Sequence, residues 1–550
     1  MNLKDELLGA IAKRWFVILE DRRLWIALIV GAILALVFGG TGCAVAPEED
    51  PSYVRVAITS SPRDLDPRSG VDEVSQRLHQ LIFSPLFKLD AHLQVVPNVA
   101  TGWETPDPTT YIVHLRSDVR FHDGSLLTAD DVVFTFGSFL EPSFVSGRKG
   151  AYRPLKSVEA IDRQTVKFTM REPFGSFPIQ LVMGIVKRGA TNTSTRPIGT
   201  GPYAFVSATA DDRVVLKRFD GYFEGPARNA GLVLKVVPDD TMRGLELRKG
   251  TIDVNVNDVS PDIVHELERT GEVKVTTAPG IDYAYVVLNM RDPILGDVRV
   301  RQALAYAVDR RAIVEHLRRG LATPAVGLLP PMSWASLSGP PSEPLSEKGM
   351  AAGMPEFPYD PARARQLLDE AGYRDPDGDG PRARFSLTLK ISTTEFTRLQ
   401  ATVLQQDWKR IGVDVALRSS ELSTFLGDVA KGQFQMASAQ FVGITDPDML
   451  RRVFQSSQVP PVGQNRGYFR DPAIDALIDR ATRSTDDAER RAIYGEVQRR
   501  VAQAVPYISL WHKTNVVIAR PDIGGVSVTA NADFIFLRDV TKTRTGVASN

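Results

Sequence analysis

Cysteine is nearly absent from this chain: Cys43 is the only one in 550 residues. A single cysteine cannot form a disulfide within the chain, and it cannot supply the paired thiolates of a Cys-x-x-Cys zinc site. A charge excess of one sign is also missing, because lysine plus arginine and aspartate plus glutamate number 66 each. The composition therefore indicates no basic surface, and it argues against nucleic acid as a partner.

The sequence also lacks the short motifs of common catalytic and phosphate-binding sites. It contains no Gly-x-Ser-x-Gly elbow, no Gly-x-x-x-x-Gly-Lys-[Ser/Thr] loop and no Gly-x-Gly-x-x-Gly turn. Among the seven histidines, His265 and Glu266 come nearest to a His-Glu-x-x-His zinc helix, but the second histidine is missing. These absences favour a binding protein without cofactor or metal over an enzyme.

One long stretch without charge lies near the N-terminus, from Leu24 to Ala46. It is long enough to span a bilayer, which needs about 20 apolar residues. Arg22 and Arg23 precede it, which predicts that the N-terminus stays inside and the rest is exported. Residues 1–46 are thus predicted to be a membrane anchor or a lipoprotein signal. A buried core helix is the alternative, which the position at the N-terminus disfavours.

The end of this stretch allows several interpretations. The run from Gly40 to Cys43 resembles a bacterial lipoprotein cleavage site, at which Cys43 would become the lipidated N-terminus. Cys43 could instead be an inert residue in an uncleaved transmembrane helix. A cut after Ala46 is disfavoured, because Pro47 would follow it. Either of the first two interpretations tethers the folded part to the outer face of a membrane.

The residues after the anchor have the composition of a folded protein. Hydrophobic residues make up 43 % and charged residues 24 % of the chain, which is ordinary for a soluble domain. Alternating strand and helix patterns predict an α/β or α+β architecture. One helix is predicted over Arg299–Arg319, with Gly320 just past its end, and another over Pro361–Gly372 after the N-cap Asp360.

A run that starts at Tyr111 is the most informative part of the chain. Tyr111–Arg116 alternates as a strand, and Gly124 can take a positive φ in the turn that follows. Thr128 and Asp131 are spaced as N-cap and N3, an acidic variant of the capping box, ahead of an apolar helical stretch. A strand, a tight turn and a capped helix are therefore predicted here.

The same run reads Leu-Arg-x-x-Val-x-Phe-His-Asp-Gly and continues into an Ala-x-Asp-Val helix. It resembles the signature segment of the large solute-binding proteins of ABC importers, the oligopeptide, dipeptide and nickel-binding family (family 5). Further segments resemble that family in the same order: Leu65–Pro67, Val96–Glu104, Gly199–Tyr203, Lys249–Asp253, Val298–Leu304, Ala307–Arg310, Tyr359–Tyr373 and Pro506–Ile508. Each match is short, and their shared order identifies the chain as a family member.

The resemblance implies an α/β, two-lobed periplasmic-binding-protein-like fold of the large type, with an extra subdomain in lobe one. Lobe one would hold residues 47–286 and 512–550, and lobe two would hold residues 287–511. The ligand would lie in the cleft between the lobes, and a hinge motion would bury it. The implied role is that of a monomeric extracytoplasmic binding protein that delivers its solute to ABC permease subunits.

The resemblance also implies where the ligand binds. Peptide-binding members carry Trp-x-x-Asp-x-x-Asp/Glu-Pro in lobe two, and the first aspartate pairs with the α-ammonium of the peptide. In this chain Gln440 stands at the tryptophan position and Gly443 at the ammonium-binding position, whereas Asp446 is retained. The candidate ligand-binding residues are Asp282, Tyr283, Tyr285, Asn289, Gln440, Phe441, Gly443 and Asp446.

The missing acid at Gly443 leaves two alternatives. An enclosed ammonium without a counter-charge is costly. Either another acid binds it, with Asp282 and Asp448 as candidates, or the ligand is not a free-amine peptide. For the aromatic candidates, packing in the core is as good an interpretation as stacking on a ligand.

An acidic turn suggests a comparison with calcium loops. Asp375, Asp377 and Asp379 occupy positions one, three and five of an EF-hand-like loop, but Ser386 stands where the bidentate glutamate is needed. An ordinary acidic turn is therefore the preferred interpretation.

An oligopeptide or dipeptide is the solute that the resemblance favours. The alternative within the same fold is a membrane-tethered sensor or chaperone-like protein. An extracytoplasmic hydrolase is the more distant alternative, because it would need a pair of carboxylates facing one cleft.

Overall fold

The computed structural model describes residues 50–338, 354–378 and 380–543. The predicted membrane segment, Cys43 and Asp379 lie outside the described residues. One compact unit covers Ser52–Asn550, and the other, Met1–Pro51, lies almost entirely outside the described part. Among the described residues, no helix is both long enough and apolar enough to cross a membrane.

The strands supply the central layer of the fold. They are β1 (Tyr53–Ile58), β2 (Phe87–Leu89), β3 (Val95–Pro97), β4 (Ala100–Asp107), β5 (Thr110–Leu115), β6 (Leu155–Ala160), β7 (Thr165–Met170), β8 (Tyr203–Thr209), β9 (Arg213–Arg218), β10 (Gly231–Val236), β11 (Val254–Val256), β12 (Lys274–Leu288), β13 (Ala322–Pro324), β14 (Phe385–Ser392), β15 (Val413–Ser420), β16 (Met436–Phe441), β17 (Tyr507–Ala519), β18 (Ile523–Gly524) and β19 (Thr541–Lys542).

Helices alternate with these strands along the chain. They are α1 (Glu73–Ile82), α2 (Ala129–Gly137), α3 (Phe177–Gln180), α4 (Asp240–Lys249), α5 (Pro261–Arg269), α6 (Val298–Tyr306), α7 (Arg310–Ala312), α8 (Pro361–Glu370), α9 (Glu395–Lys409), α10 (Leu422–Ala430), α11 (Met449–Phe454), α12 (Pro472–Arg483) and α13 (Asp487–Ala504). This alternation confirms the predicted α/β class.

Eleven strands of the described chain join in one sheet, in the order β15-β14-β16-β12-β17-β11-β1-β10-β9-β8, with β13 paired to β17. The sheet is mixed, because β1 pairs with β10 and β14 with β15 in parallel. The long antiparallel pair of β12 and β17 runs through its centre, from Lys274 opposite Ala519 to Val287 opposite Tyr507. These two strands are therefore shared by both halves of the sheet.

The buried apolar residues form separate clusters on the two halves of this sheet. Leu389 and Trp408 belong to a cluster on the side of β14, β15 and β16. Leu216 and Val254 belong to another on the side of β1, β10 and β11. A further cluster, which includes Tyr111, fills the separate four-stranded sheet β4-β5-β7-β6. Each half of the large sheet thus has its own hydrophobic core.

The turn and capped helix predicted after Tyr111 are confirmed. Gly124 has a φ of +86°, which glycine adopts without a steric cost. The Asp131 carboxylate accepts a hydrogen bond from the Thr128 backbone N–H at 2.8 Å, and α2 begins at the next residue, Ala129. Local sequence is sufficient here, because all the groups involved lie within a few residues of one another.

The prediction of a single helix over Arg299–Arg319 is wrong, because the helix is interrupted in its middle. α6 ends at Tyr306, and the Asp309 carboxylate accepts a hydrogen bond from Ala312 N–H at 3.0 Å, which starts a new helical turn. The chain then continues as a π-helical turn over Ile313–Leu317. The apolar spacing hid the break, because both pieces pack against the same core cluster.

Candidate functional site

The pairing of β12 with β17 is irregular between Pro279 and Tyr283, and a second register shift follows between Ala284 and Tyr285. A Cβ on Gly280 would lie 2.5 Å from the carbonyl oxygen of Lys513, so only glycine permits this close approach of the strands. Asp282 lies within this irregular segment.

The carboxylate of Asp282 lies beside Gly443, in the loop after β16. It accepts hydrogen bonds from the Gly443 backbone N–H at 3.0 Å and from Gln440 Nε2 at 3.2 Å. Lys513 Nζ lies 4.0 Å away, and the Asp282 side chain is 16 % exposed. Gly443 has a φ of +73°, with open space where a Cβ would stand. The carboxylate of Asp282, on β12, therefore lies close to Gly443, the position at which peptide-binding members of the family carry the aspartate that pairs with the ligand.

A cation with incomplete pairing lies near Asp282. The guanidinium of Arg318 stacks 4.7 Å from the ring centre of Trp511 and 5.1 Å from that of Phe396. Its Nη2 donates to the Leu321 carbonyl oxygen at 3.3 Å, whereas its Nε is buried without an acceptor in the described chain. Burial lowers the pKa of Arg318 to about 10, and the charge of Asp282 acts in the opposite direction.

The aromatic candidates pack into the core. Tyr283 and Tyr285 are buried, and their rings stack with centroids 5.4 Å apart. The Tyr283 hydroxyl is hydrogen-bonded to Ser509 Oγ at 2.7 Å, and the Tyr285 hydroxyl accepts from Arg466 at 3.0 Å. Phe441 stacks on Tyr285 with a centroid distance of 4.6 Å. Their ring faces are thus occupied by protein, and burial raises the pKa of Tyr285 to about 12.

Asn289 is also buried, and its side chain forms hydrogen bonds with the surrounding backbone. Its Nδ2 donates to the carbonyl oxygens of Phe434 at 2.7 Å and Gly432 at 3.2 Å. Its Oδ1 accepts from the Arg291 backbone N–H at 3.1 Å. These bonds fix the end of β12 against the loop before β16, which is a structural role.

Asp446 lies in a buried polar contact between distant parts of the chain. Ser176 Oγ donates to Asp446 Oδ1 at 2.9 Å, and Arg490 Nη2 donates to the same Ser176 Oγ at 2.6 Å. The Arg490 guanidinium lies 5.2 Å from the ring centre of Trp334. Burial raises the pKa of Asp446 to about 6, because the neighbouring Arg490 offsets only part of the desolvation.

Backbone contacts surround this polar cluster. Gly175 N–H donates to the Thr482 carbonyl oxygen at 2.8 Å, and Trp334 N–H donates to the His92 carbonyl oxygen at 3.0 Å. In both bonds, one partner lies in the predicted lobe one and the other in the predicted lobe two. The loop around Gly175 therefore contacts residues that are far away in the sequence.

The raised pKa of Asp446 predicts a pH-dependent effect of Asp446→Asn. At pH 4.0 the folded carboxyl is protonated and the unfolded one, with a pKa of 3.8, is only partly ionised, so the substitution should change little. Above about pH 6 the folded chain holds a buried charge, and a difference of two pKa units corresponds to about 3 kcal/mol. Asp446→Asn should therefore stabilise the chain by roughly 1–3 kcal/mol at pH 7.5. Urea unfolding at pH 4.0 and pH 7.5 measures this.

The matched control for that experiment is Asp220→Asn, because Asp220 pairs with Arg218 on an exposed surface. It should change the unfolding free energy by less than about 0.5 kcal/mol at either pH. The groups that face Asp446 from other elements are Arg490, Ser176 and Asp448. An equal stabilisation by Asp446→Asn at both pH values would show that desolvation of the carboxylate is not the cause.

The second predicted substitute acid, Asp448, already has a cation. Its two carboxylate oxygens accept from Arg451 Nε at 2.8 Å and Nη2 at 2.7 Å, a bidentate pair within α11 and its cap. A carboxylate engaged in this way has little remaining capacity for a ligand ammonium. In the part of the chain that the structure describes, Asp282 has no comparable partner, since the nearest cation there, Lys513, lies 4.0 Å away.

The acidic turn after α8 is held by arginines. Asp377 accepts from the Arg382 backbone N–H at 3.1 Å, and Arg384 Nη2 lies 3.7 Å from Asp375. Within the described ranges, no group of three or more histidine, cysteine, aspartate or glutamate residues is arranged to hold a metal. These contacts are those of an ordinary turn.

Sequence reasoning missed three residues of these clusters: Arg318, Ser176 and Arg490. Arg318 reads as a common basic residue at a helix end, and Arg490 as one of several arginines on a polar helix. Their partners are far away in sequence, so no local spacing signals them. A weak signal existed for the loop of Ser176, since its neighbour Gly175 interrupts an apolar stretch.

Comparison with known proteins identifies the family to which this chain belongs. The model of bacterial extracellular solute-binding proteins, family 5 (middle part), matches residues 94–459. Heme-binding protein A of Haemophilus influenzae is 29 % identical over 468 residues, which cover 78 % of this chain and 81 % of that protein. Oligopeptide-binding protein AppA of Bacillus subtilis is 28 % identical over 470 residues, which cover 81 % of this chain and 83 % of AppA.

Solved structures have the same fold. The AppA structure in complex with a nonapeptide is 26 % identical, with a TM-score of 0.69, and covers 89 % of this chain and 99 % of its own. The ABC transporter substrate-binding protein CtaP of Listeria monocytogenes is 25 % identical, with a TM-score of 0.77 and the same two coverages. The similarity therefore extends over nearly the whole length of these binding proteins.

Proposed function

Since the chain belongs to the bacterial extracellular solute-binding proteins of family 5, we propose that it captures a free-amine oligopeptide or dipeptide and delivers it to an ABC importer. Members of this family bind solutes outside the cytoplasm and are not enzymes. The relatives are named for different solutes, heme and oligopeptides among them, so the family alone does not select the ligand. The residues near the irregular part of β12 support a free-amine ligand.

The position of Asp282 beside Gly443 is the observation that supports a free-amine ligand. Its carboxylate is held by Gly443 N–H and Gln440, and among the described residues no cation lies closer to it than Lys513 at 4.0 Å. A ligand ammonium can therefore pair with it in a partly desolvated place, where a charge-assisted hydrogen bond is strongest. Arg318 lies nearby and is suited to a carboxylate, so the pair would match a zwitterion.

We place the ligand in a cleft between two lobes, with residues 47–286 and 512–550 in one and 287–511 in the other. The separate core clusters of the two sheet halves support this division. β12 and β17 would form the hinge, and the pairing break at Pro279–Tyr283 supports a first crossing slightly before the predicted boundary. The close approach of Gly175 to the Ser484 carbonyl would then occur only when the lobes close.

We further propose that the protein is tethered to the outer face of the membrane by residues 1–46. The uncharged stretch from Leu24 to Ala46, with arginines before it, supports a membrane anchor. Lipidation at Cys43 and an uncleaved helix remain the two forms of this proposal. Mass spectrometry of the chain from membranes separates them, since a lipidated form would begin at Cys43.

A thermal-shift screen against di- to pentapeptides, sugars and metal chelates tests the proposed ligand class. A ligand at about 100 times its Kd stabilises the folded chain by about 2.7 kcal/mol, which is readily measured. Free-amine peptides should raise the melting temperature, and their N-acetylated forms should not. A response to sugars or chelates alone would contradict the peptide proposal, and silence across the whole panel would favour the sensor alternative.

Asp282→Asn is expected to weaken the binding of the best peptide roughly 10- to 150-fold, because a hydrogen bond to a charged group contributes about 1.5–3 kcal/mol. Asparagine keeps an acceptor for Gly443 N–H, so the loop should stay in place. Isothermal titration at pH 7.5 measures the loss. The N-acetylated peptide should bind both chains with equal weakness.

Asp220→Asn serves again as the control, because Asp220 is exposed and lies outside the proposed cleft. Its affinity for the peptide should equal that of the unsubstituted chain. Equal affinities of the Asp282→Asn and unsubstituted chains for free-amine peptide would rule out Asp282 as the ammonium partner.

A further inference from the structure

A polar cavity lies away from the residues around Asp282. It has a volume of about 550 Å³ and is bordered by the segment that follows β12 and by the turn before α12. Its lining includes Arg291, Arg301, Arg470, Tyr468 and Gly296. Three arginines and no carboxylate line it. None of the residues that contact Asp282 contributes to it, so it is separate from the proposed ammonium site.

Arg301 is an almost fully buried cation, with 6 % of its surface exposed. Its Nε donates to the Ala504 carbonyl oxygen at 2.8 Å, and its Nη1 donates to the carbonyl oxygens of Leu295 and Gly296 at 2.9 Å each. No carboxylate of the described residues lies within 4 Å of it, and Nη2 has no acceptor among them. Burial lowers the pKa of Arg301 to about 10, which reflects a charge with little compensation.

The other two arginines are exposed at the rim of the cavity. The Arg291 guanidinium stacks 3.5 Å from the ring centre of Tyr468, which holds it in a fixed orientation. It donates to the Gly432 carbonyl oxygen at 3.1 Å. Neither Arg291 nor Arg470 forms an ion pair with a described residue. All three guanidinium groups thus have donor capacity that the protein leaves unused.

The aspartates closest in sequence to the three arginines form contacts with other groups. Asp297 pairs with Arg299 and caps α6, and Asp471 caps α12 through Ala473 N–H. Asp292 accepts from the backbone N–H of Ile294 and from Gln435 Nε2, both at 2.9 Å. None of these carboxylates lines the cavity. The charge of Asp297 offsets part of the desolvation of Arg301, but the cavity surface itself carries only positive side-chain charge among the described residues.

We propose that this cavity binds a phosphate-type oxyanion, held by Arg291, Arg301 and Arg470. Guanidinium groups bind phosphate oxygens through paired N–H donors, and a planar fork that is already oriented loses little entropy on binding. The volume exceeds that of a single phosphate, which suits a diphosphate or a phosphate with an attached polar group. The anion would join the segment after β12 to the turn before α12.

Isothermal titration of the full chain in detergent with inorganic pyrophosphate tests this proposal. Binding should weaken roughly tenfold or more in Arg470→Gln and in Arg291→Gln, since each removes one charged donor pair. Arg363→Gln is the matched control, because Arg363 is partly exposed and already pairs with Glu370 at 3.4 Å. It should leave the affinity unchanged.

Glycerol 3-phosphate forms a second arm of the experiment and distinguishes the source of the phosphate. A preference for it over pyrophosphate would indicate a lipid headgroup, and the reverse would indicate a free diphosphate. Arg301→Lys tests the buried donor, with its unfolding midpoint measured first to confirm that it folds. Absence of binding up to about 10 mM of either probe, or equal affinity in the arginine variants and the control, overturns the proposal.

Discussion

Gly175→Ala should weaken ligand binding about 10- to 100-fold while leaving the unfolding free energy of the ligand-free chain nearly unchanged. A Cβ on Gly175 would lie 1.9 Å from the Ser484 carbonyl oxygen and 3.0 Å from its carbon. Gly175 belongs to the proposed lobe one and Ser484 to lobe two. The clash would therefore arise only in the closed form, where overpacking costs about 1–3 kcal/mol.

Titration with the best peptide of the screen measures the loss of affinity, and small-angle scattering with saturating peptide measures closure. Gly150→Ala is the matched control, because a Cβ there meets nothing within 4 Å. It should bind and close as the unsubstituted chain does. If Gly175→Ala bound the peptide normally, the contact with Ser484 would not belong to the ligand-bound form. If it mainly lowered stability, the two halves would be packed permanently rather than hinged.

Gly201→Val should destabilise the folded chain by about 3–5 kcal/mol, the range of large steric defects in a core. A Cβ on Gly201 would lie 2.4 Å from the Leu81 carbonyl oxygen and 2.6 Å from the carbonyl carbon of Ile82. These are backbone atoms at the end of α1 and cannot move alone. His122 Nε2, at 3.1 Å from the Gly201 carbonyl oxygen, ties the same turn to the signature segment.

Urea unfolding of the full chain measures this loss, which should appear as a lower midpoint with an unchanged slope. Gly102→Val is the control, because Gly102 lies in β4 with nothing within 4 Å of its Cβ position, and valine favours strands. It should be neutral or slightly stabilising. A Gly201→Val chain that unfolds at the midpoint of the control would show that the turn can relax without a defect.

Local chemistry determined which parts of the fold could be predicted. The capped helix after Thr128 and the helix that begins at Pro361 depend on groups a few residues apart, and both form as expected. The break at Asp309 was not predicted, because the helical spacing of apolar residues shows which core a segment packs against. It does not show whether the helix is continuous. The Arg310 guanidinium turns inward to the Ser509 carbonyl oxygen at 2.6 Å, a partner that no local pattern shows.

The candidate site could likewise be predicted only in part. The departure at Gly443 and the candidate acids Asp282 and Asp448 are visible in the sequence. The choice between them depends on pairing: Asp448 is engaged by Arg451, whereas Asp282 reaches Gly443 from another strand. The stacking of Arg318 on Trp511 likewise joins residues from separate elements.

The sequence by itself determined the family, the α/β class, the absence of common catalytic motifs and the loss of the acid at Gly443. These properties depend on the order of residue types along the chain, and that order is visible in short segments. Only the tertiary structure decided that Asp282 stands beside Gly443, that Ser176 joins Asp446 to Arg490, and that three arginines surround one cavity. Such contacts arise where separate strands and loops meet, and Coulomb and steric forces depend on those distances rather than on position in the sequence.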